Sequence, residues 1–222
     1  MKNILIMMTV LSLLFIACGK DNYDEPTSTI SGTVSYKGKP IGVRGTGEVV
    51  KLQLYQEGFQ LKAPVQVYVG QDGSFKVKIF DGKYKLIGTN NNGPWLNNTD
   101  TIQFELKGNI DVNYEVVPYF TIENVKLTLG SDKKLSSSFT INKVFDNATV
   151  DYYMLLVSRT SFVDDGTNIF RKDYKDGATS VSLSEDLSQL KELSGDGPLF
   201  ARIGVRANAG DQAVYSEVIK IK

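Results

Sequence analysis

Apolar and polar side chains alternate with a period of two along most of the chain. Phe75, Val77 and Ile79 alternate with Ser74, Lys76 and Lys78, and Val65, Val67 and Val69 with Gln66 and Tyr68. Ile110, Val112, Tyr114 and Val116 alternate with Asp111, Asn113 and Glu115. In the second half Phe139 and Ile141, and then Ala201, Ile203 and Val205, repeat the pattern between other neighbours. Successive side chains of an extended backbone point to opposite faces, so this period predicts half-buried antiparallel strands. Asp72-Gly73, Asp81-Gly82 and Lys107-Gly108-Asn109 supply turn chemistry between them. One stretch follows another rhythm. Ser184 suits a helix cap and Glu185 a first turn, and Leu187, Leu190 and Leu193 recur every three residues before Gly195, which predicts one short helix. Pro118 cannot donate to a strand ladder and separates two strand patterns. The expected architecture is all-β: two consecutive β-sandwiches over residues 29–118 and 119–222, with the short helix in the second.

The first residues obey neither period. Lys2 supplies a positive start, and Ile4 to Ile16 is apolar except for Thr9 and Ser12. A helix of about 13 residues spans about 20 Å, short of a bilayer core of about 30 Å, so this run is expected to be a signal peptide (residues 1–17) and not a permanent membrane span. Ala17 and Cys18 close it in a pattern that resembles a bacterial lipobox, with Phe15 where Leu is usual. That resemblance implies lipidation at Cys18 and anchorage by acyl chains, with residues 18–28, polar and containing Pro26, as a tether. The other reading is a cleaved signal with an incidental cysteine.

Composition then removes whole classes of function. The chain has 25 Lys plus Arg, 25 Asp plus Glu and no histidine, and Cys18 is its single cysteine. A balanced charge argues against nucleic acid as a partner and against general attraction to anionic lipid, which leaves the acyl anchor as the membrane contact. Without histidine there is no Ser-His-Asp or Cys-His catalysis, and no Cys/His zinc site. With 41% hydrophobic residues, including 11 Phe and 11 Tyr, the chain has the material for real cores.

Particular motifs narrow the fold. Ile30-Ser31-Gly32-Thr33-Val34, Gly38-Lys39-Pro40-Ile41, Gln71-Asp72-Gly73-Ser74-Phe75 and Asp81-Gly82-Lys83-Tyr84-Lys85-Leu86 resemble, in that order, the carboxypeptidase regulatory-like domain. The resemblance implies a prealbumin-like, seven-stranded Greek-key sandwich, with the glycines in turns requiring positive φ and with Phe75 and Tyr84 in the core. Phe200 to Ala207, the turn at Gly210-Asp211 and Tyr215 to Val218 resemble the last two strands of an immunoglobulin or fibronectin III-like module. Cys18-Gly19-Lys20-Asp21 and the acidic run after it resemble the export signal of Bacteroidetes surface lipoproteins. The whole is similar to a family of Bacteroidetes surface lipoproteins built on domains of unknown function, whose genes lie beside outer-membrane import pairs of the starch-utilisation type. That resemblance implies an outer-membrane, surface-exposed accessory protein of polysaccharide utilisation, with an oligo- or polysaccharide and the import pair as partners.

Candidate chemistry is concentrated in loops. Asn90 to Asp100 holds the single tryptophan within a cluster of amides. Trp95 is a candidate platform for the apolar face of a sugar, with Asn91, Asn92 and Asn97 as hydrogen-bonding partners. The competing reading tucks Trp95 under its own loop or into the domain junction. Phe59, in the loop Gln56 to Gln60, is a second candidate anchor or a loop plug. Asp164-Asp165-Gly166-Thr167-Asn168 offers oxygen atoms but lacks the spacing of a calcium loop, so a solvated turn is expected and no metal. Asp100-Thr101-Ile102 resembles the short O-glycosylation motif of Bacteroidetes secreted proteins, which makes Thr101 a weak candidate for modification. No acidic pair sits in a loop flanked by aromatics, as glycoside hydrolysis would need. The expectation is non-catalytic saccharide binding without a cofactor. The alternatives are a docking module that contacts no sugar, and peptide capture by strand addition.

Overall fold

The computed structural model describes residues 24–222 except Phe59 and Leu61; the signal peptide and Cys18 lie outside the described residues. Nearly everything described is strand. In the N-terminal half, β1 (Ser28–Tyr36) is central to one sheet. It pairs antiparallel with β2 (Lys39–Pro40) and β5 (Ser74–Ile79). A second sheet has the order β4 (Val65–Tyr68), β3 (Lys51–Gln56), β6 (Gly82–Gly88), β7 (Thr101–Leu106). The alternation in β5 faces Phe75 into the core while Ser74, Lys76 and Lys78 are exposed. Tyr84 is buried and its hydroxyl donates to the Phe80 carbonyl at 2.7 Å.

Two local expectations are corrected. The pattern Ile110 to Val116 was expected to pair antiparallel. It forms β8 (Asn109–Asp111) and β9 (Tyr114–Glu115), both parallel to β1. The turn at 107–109 passes the chain from one sheet to the other, so the returning strand meets β1 running in the same direction. The glycines also divide by role. Gly38 (φ +74°) and Gly73 (φ +83°) occupy turns, but a Cβ on Gly32 would stand 1.9 Å from the Val112 carbonyl oxygen, so Gly32 is there for close approach of β1 to the 112 backbone.

The C-terminal half packs a sheet of β10 (Phe120–Leu129), β11 (Lys134–Lys143) and β14 (Ser180–Asp186) against a sheet of β13 (Phe170–Tyr174), β12 (Val150–Ser158), β15 (Phe200–Ala207) and β16 (Ala213–Tyr215). A last short strand, β17 (Ile219–Lys220), also pairs with β15. Phe139 and Tyr153 meet edge to face across this core, with ring centroids 5.6 Å apart. The predicted helix is cut down to a four-residue 3-10 turn, Lys191–Ser194. Ser184 and Glu185 do not cap it; they lie in β14, opposite Ser136 and Leu135. Leu187 is buried and Leu190 and Leu193 are half-buried, so the three-residue spacing records a chain folded over the sandwich and not a helix face.

Several surface carboxylates hold folded-state pKa values below the usual carboxylate range. Asp81 receives the Ser28 hydroxyl and the Gly108 N–H, Asp176 the Ala178 N–H and the Tyr153 hydroxyl, and Asp186 the Ser188 N–H. A depressed folded value adds stability that is complete above the unfolded pKa of about 4 and lost as pH falls through the folded value. The thermal midpoint is therefore expected to hold from pH 7 to about 5 and to decline below about 4. Calorimetry across this range checks it, and a midpoint that rises on acidification would overturn the assignment.

Candidate functional site

The Asn90 to Asp100 loop is not an exposed platform. Trp95 is 6% exposed and its indole lies against Gly93, where a Cβ would stand 2.2 Å from the ring. Residues 94–96 pair with the interdomain linker: Leu96 N donates to the Val117 carbonyl at 2.9 Å and Tyr119 N to the Pro94 carbonyl at 3.0 Å. The indole is thus corrected from sugar platform to a plug beside the linker, because its apolar area is worth more against the core than in water. Asn92 is committed as well, since its side chain accepts from Lys51 N at 2.7 Å and donates to the Val49 carbonyl at 2.6 Å. Asn97 Oδ1 accepts from Asn91 N at 2.8 Å, and Asn91 takes φ +51°, so this amide pair shapes a turn. Phe59 lies outside the described residues. Thr101 is exposed at the start of β7.

The loop read as a solvated turn is instead a buried joint. Asp164 is 0% exposed. One carboxylate oxygen accepts from Gly45 N and Thr46 N, at 3.1 and 3.0 Å. The other accepts from the Thr46 hydroxyl, Gly166 N and Thr167 N, at 2.8, 2.9 and 2.9 Å. Five donors consume the carboxylate, which leaves no lone pair for a cation. Beside it, Arg202 of β15 is 1% exposed and, among the described residues, has no carboxylate at bonding distance. Its guanidinium donates to four backbone carbonyls: Ser216 at 2.7 Å, Val43 and Val163 at 3.1 Å, and Gln71 at 2.6 Å. Burial pulls its pKa down to about 10. Tyr215 lies under the guanidinium, 4.6 Å from its ring centre, and donates its hydroxyl to Asp165 at 2.9 Å; burial, then the Asp165 charge, raises its pKa. Tyr215 N also donates to the Gly42 carbonyl at 2.9 Å. The two halves are joined by buried hydrogen bonds with fixed directions.

Sequence reading missed this joint. In a period-two strand Arg202 falls on the face opposite Ala201 and Ile203, which reads as solvent. One signal was available: Tyr153 to Val157 is an unbroken apolar run, the mark of a strand covered on both faces. Its outer side chains Met154 and Leu156 do form a second small core with Val163, Ala213 and Tyr215.

Above the joint runs a groove. Two cavities of about 540 and 630 Å³ share Lys39, Pro40, Gly42, Ile122 and Tyr215, so they form one channel on either side of the β1–β2 hairpin. The hairpin comes from the first half, and β10 and β11 supply Thr121, Asn142 and Lys143 from the second. Half-buried Tyr36 is its aromatic wall, with the Lys37 ammonium over one ring face, 5.1 Å from the ring centre. The groove thus combines a ring face with amide and hydroxyl groups, the chemistry a polyol requires. Among the described residues no three His, Cys, Asp or Glu side chains are grouped to hold a metal, and no helix is long and apolar enough to cross a membrane.

Residues 28–117 match the N-terminal domain of DUF3823, a protein family of unknown function, and residues 120–220 match its C-terminal domain. A DUF3823 structure from Parabacteroides merdae shares 44% identity, with 90% of this chain and 100% of that chain covered and a TM-score of 0.84. One from Bacteroides ovatus shares 29% identity, with 87% and 98% covered and a TM-score of 0.79. A structure from Bacteroides uniformis, provisionally named a carbohydrate binding protein, shares 17% identity, with 89% and 99% covered and a TM-score of 0.74. No curated protein matches the chain.

Proposed function

The chain belongs to the DUF3823 family, and on that premise we propose that it is a non-catalytic lipoprotein, acylated at Cys18 and exposed on the outer membrane, that holds a saccharide for an import pair in the groove between its domains. The groove carries this reading: a ring face, an amide and hydroxyl groups on two domains whose relation is set by Arg202 and Asp164. The provisional carbohydrate-binding name of the Bacteroides uniformis relative supports it. Asp72 in the groove is held below the ordinary carboxylate pKa by the Ser74 hydroxyl, which disfavours it as a general acid. Against strand addition, β10 carries a bulge between Glu123 and Lys126, and β13 presents Arg171, Lys172 and Asp173 at its edge.

Titration of a glycan panel into the full chain in detergent tests the reading. One saccharide should bind, and Tyr36→Ala should weaken it about five- to thirtyfold, since a sugar–aromatic stack is worth roughly 1–2 kcal/mol. Absence of binding to every glycan, or binding indifferent to Tyr36, would refute it.

A further inference from the structure

The two ends of the groove differ in charge. At the Tyr36 end the lining holds Lys37, Lys39 and Lys143 with one carboxylate, Glu123, and the Glu115 carboxylate lies behind the turn on Lys37 N. At the far end Asp72 and Glu217 are balanced by Lys39 and the buried Arg202, among the hydroxyls of Thr33, Ser74 and Ser216. The chain as a whole has 25 positive and 25 negative side chains, so this separation is a matter of placement and not composition. Among the described residues none of the three lysines forms an ion pair, although six other cationic side chains do. Lys143 reaches only the Asp146 carbonyl, at 3.4 Å.

The lysines are set on stiff backbone. Lys37 (φ +51°) and Gly38 (φ +74°) form a two-residue hairpin turn between Tyr36 and Lys39, which are paired across the ladder. The Glu115 carboxylate receives Lys37 N–H and holds the turn against β9. Lys143 ends β11 one residue after Asn142, whose cross-strand partner is Thr121. The hairpin and the end of β11 thus place positive charge on the groove from both domains, where an anion would gain from it.

We infer that the Tyr36 end of the groove seats an anionic sugar unit bearing carboxylate or sulfate. Lys37, Lys39 and Lys143 surround its charge, and Asn142 and Thr121 face its hydroxyls. The inference rests on the saccharide-holding reading above and specifies its ligand class.

The test uses the full chain in detergent and three oligosaccharides of equal length: oligogalacturonate for carboxylate, a chondroitin sulfate fragment for sulfate, and a neutral glucan. At least one acidic probe should bind about tenfold or more tightly than the glucan, and its affinity should fall as salt rises from 50 to 500 mM. The double variant Lys39→Gln, Lys143→Gln replaces exposed side chains and should abolish that preference with the thermal midpoint unchanged. Preference for the carboxylate or the sulfate probe identifies the anion. Glucan binding equal to that of the acidic probes, lost in Tyr36→Ala and indifferent to the lysine variant, would overturn the inference and leave the saccharide-holding function standing. Binding of none of the three, together with silence across the wider panel, would overturn both.

Discussion

Replacing Arg202 with Met is expected to lower stability by about 3 kcal/mol, a fall of roughly 10 °C in thermal midpoint for a chain of this size. The guanidinium is the shared donor for Val43 and Gln71 of the first domain and for Val163 and Ser216 of the second. Each buried carbonyl left without a donor costs about 1–3 kcal/mol. The sum is reduced because the substitution also removes a cation that burial already disfavours, as its lowered pKa records. Met keeps the aliphatic stem and lacks the guanidinium, so a small void adds to the lost hydrogen bonds. Arg202→Lys should fall between the two, since an ammonium has three donors and no planar fork. The joint adds a second signature. With Arg202 in place the halves should unfold in one calorimetric transition, whereas in Arg202→Met two transitions should separate. A variant that unfolds in one step at the wild-type midpoint would show that the apolar contacts alone couple the domains.

Trp95→Ala is the second large effect, with a loss of about 3–5 kcal/mol as expected for truncating a buried aromatic. The indole belongs to the main core and the backbone beside it is bonded to the linker at Val117 and Tyr119, so the damage should fall on the junction. Trp95→Phe should recover about half of the loss. Because Trp95 is the single tryptophan, its fluorescence reports this site directly. Native emission should be blue-shifted and protected from soluble quenchers, and saccharide in the groove should leave it unchanged. Emission that is quenched by a saccharide, with the fold intact, would return Trp95 to the role of platform.

These two residues mark the limit of what could be read from the chain alone. Strand identity was legible because it is local: Phe75, Phe139 and Ile203 are buried as their period-two patterns require. The Asp72-Gly73 turn follows from a glycine that takes φ +83° freely. Where the local pattern was ambiguous, the reading slipped. Leu187, Leu190 and Leu193 satisfy a helix spacing, but the preceding residues pair with β11 and the ladder prevails. Trp95 and its amides compose a plausible sugar site, and nothing local says that residues 94–96 fold back on the linker.

The amino-acid sequence by itself determined an all-β chain, through alternation and turn chemistry that each segment carries within a few residues. Only the tertiary structure decided which outward faces are covered, that β8 and β9 run parallel to β1, and that Arg202 and Asp164 bind the two halves. It also decided where a groove opens, with Lys39 and Lys143 on its walls. The physical reason is distance along the chain. Arg202 meets Val43 across 159 positions and Asp164 meets Thr46 across 118, and no short-range pattern encodes which remote carbonyl or amide will complete a buried charge.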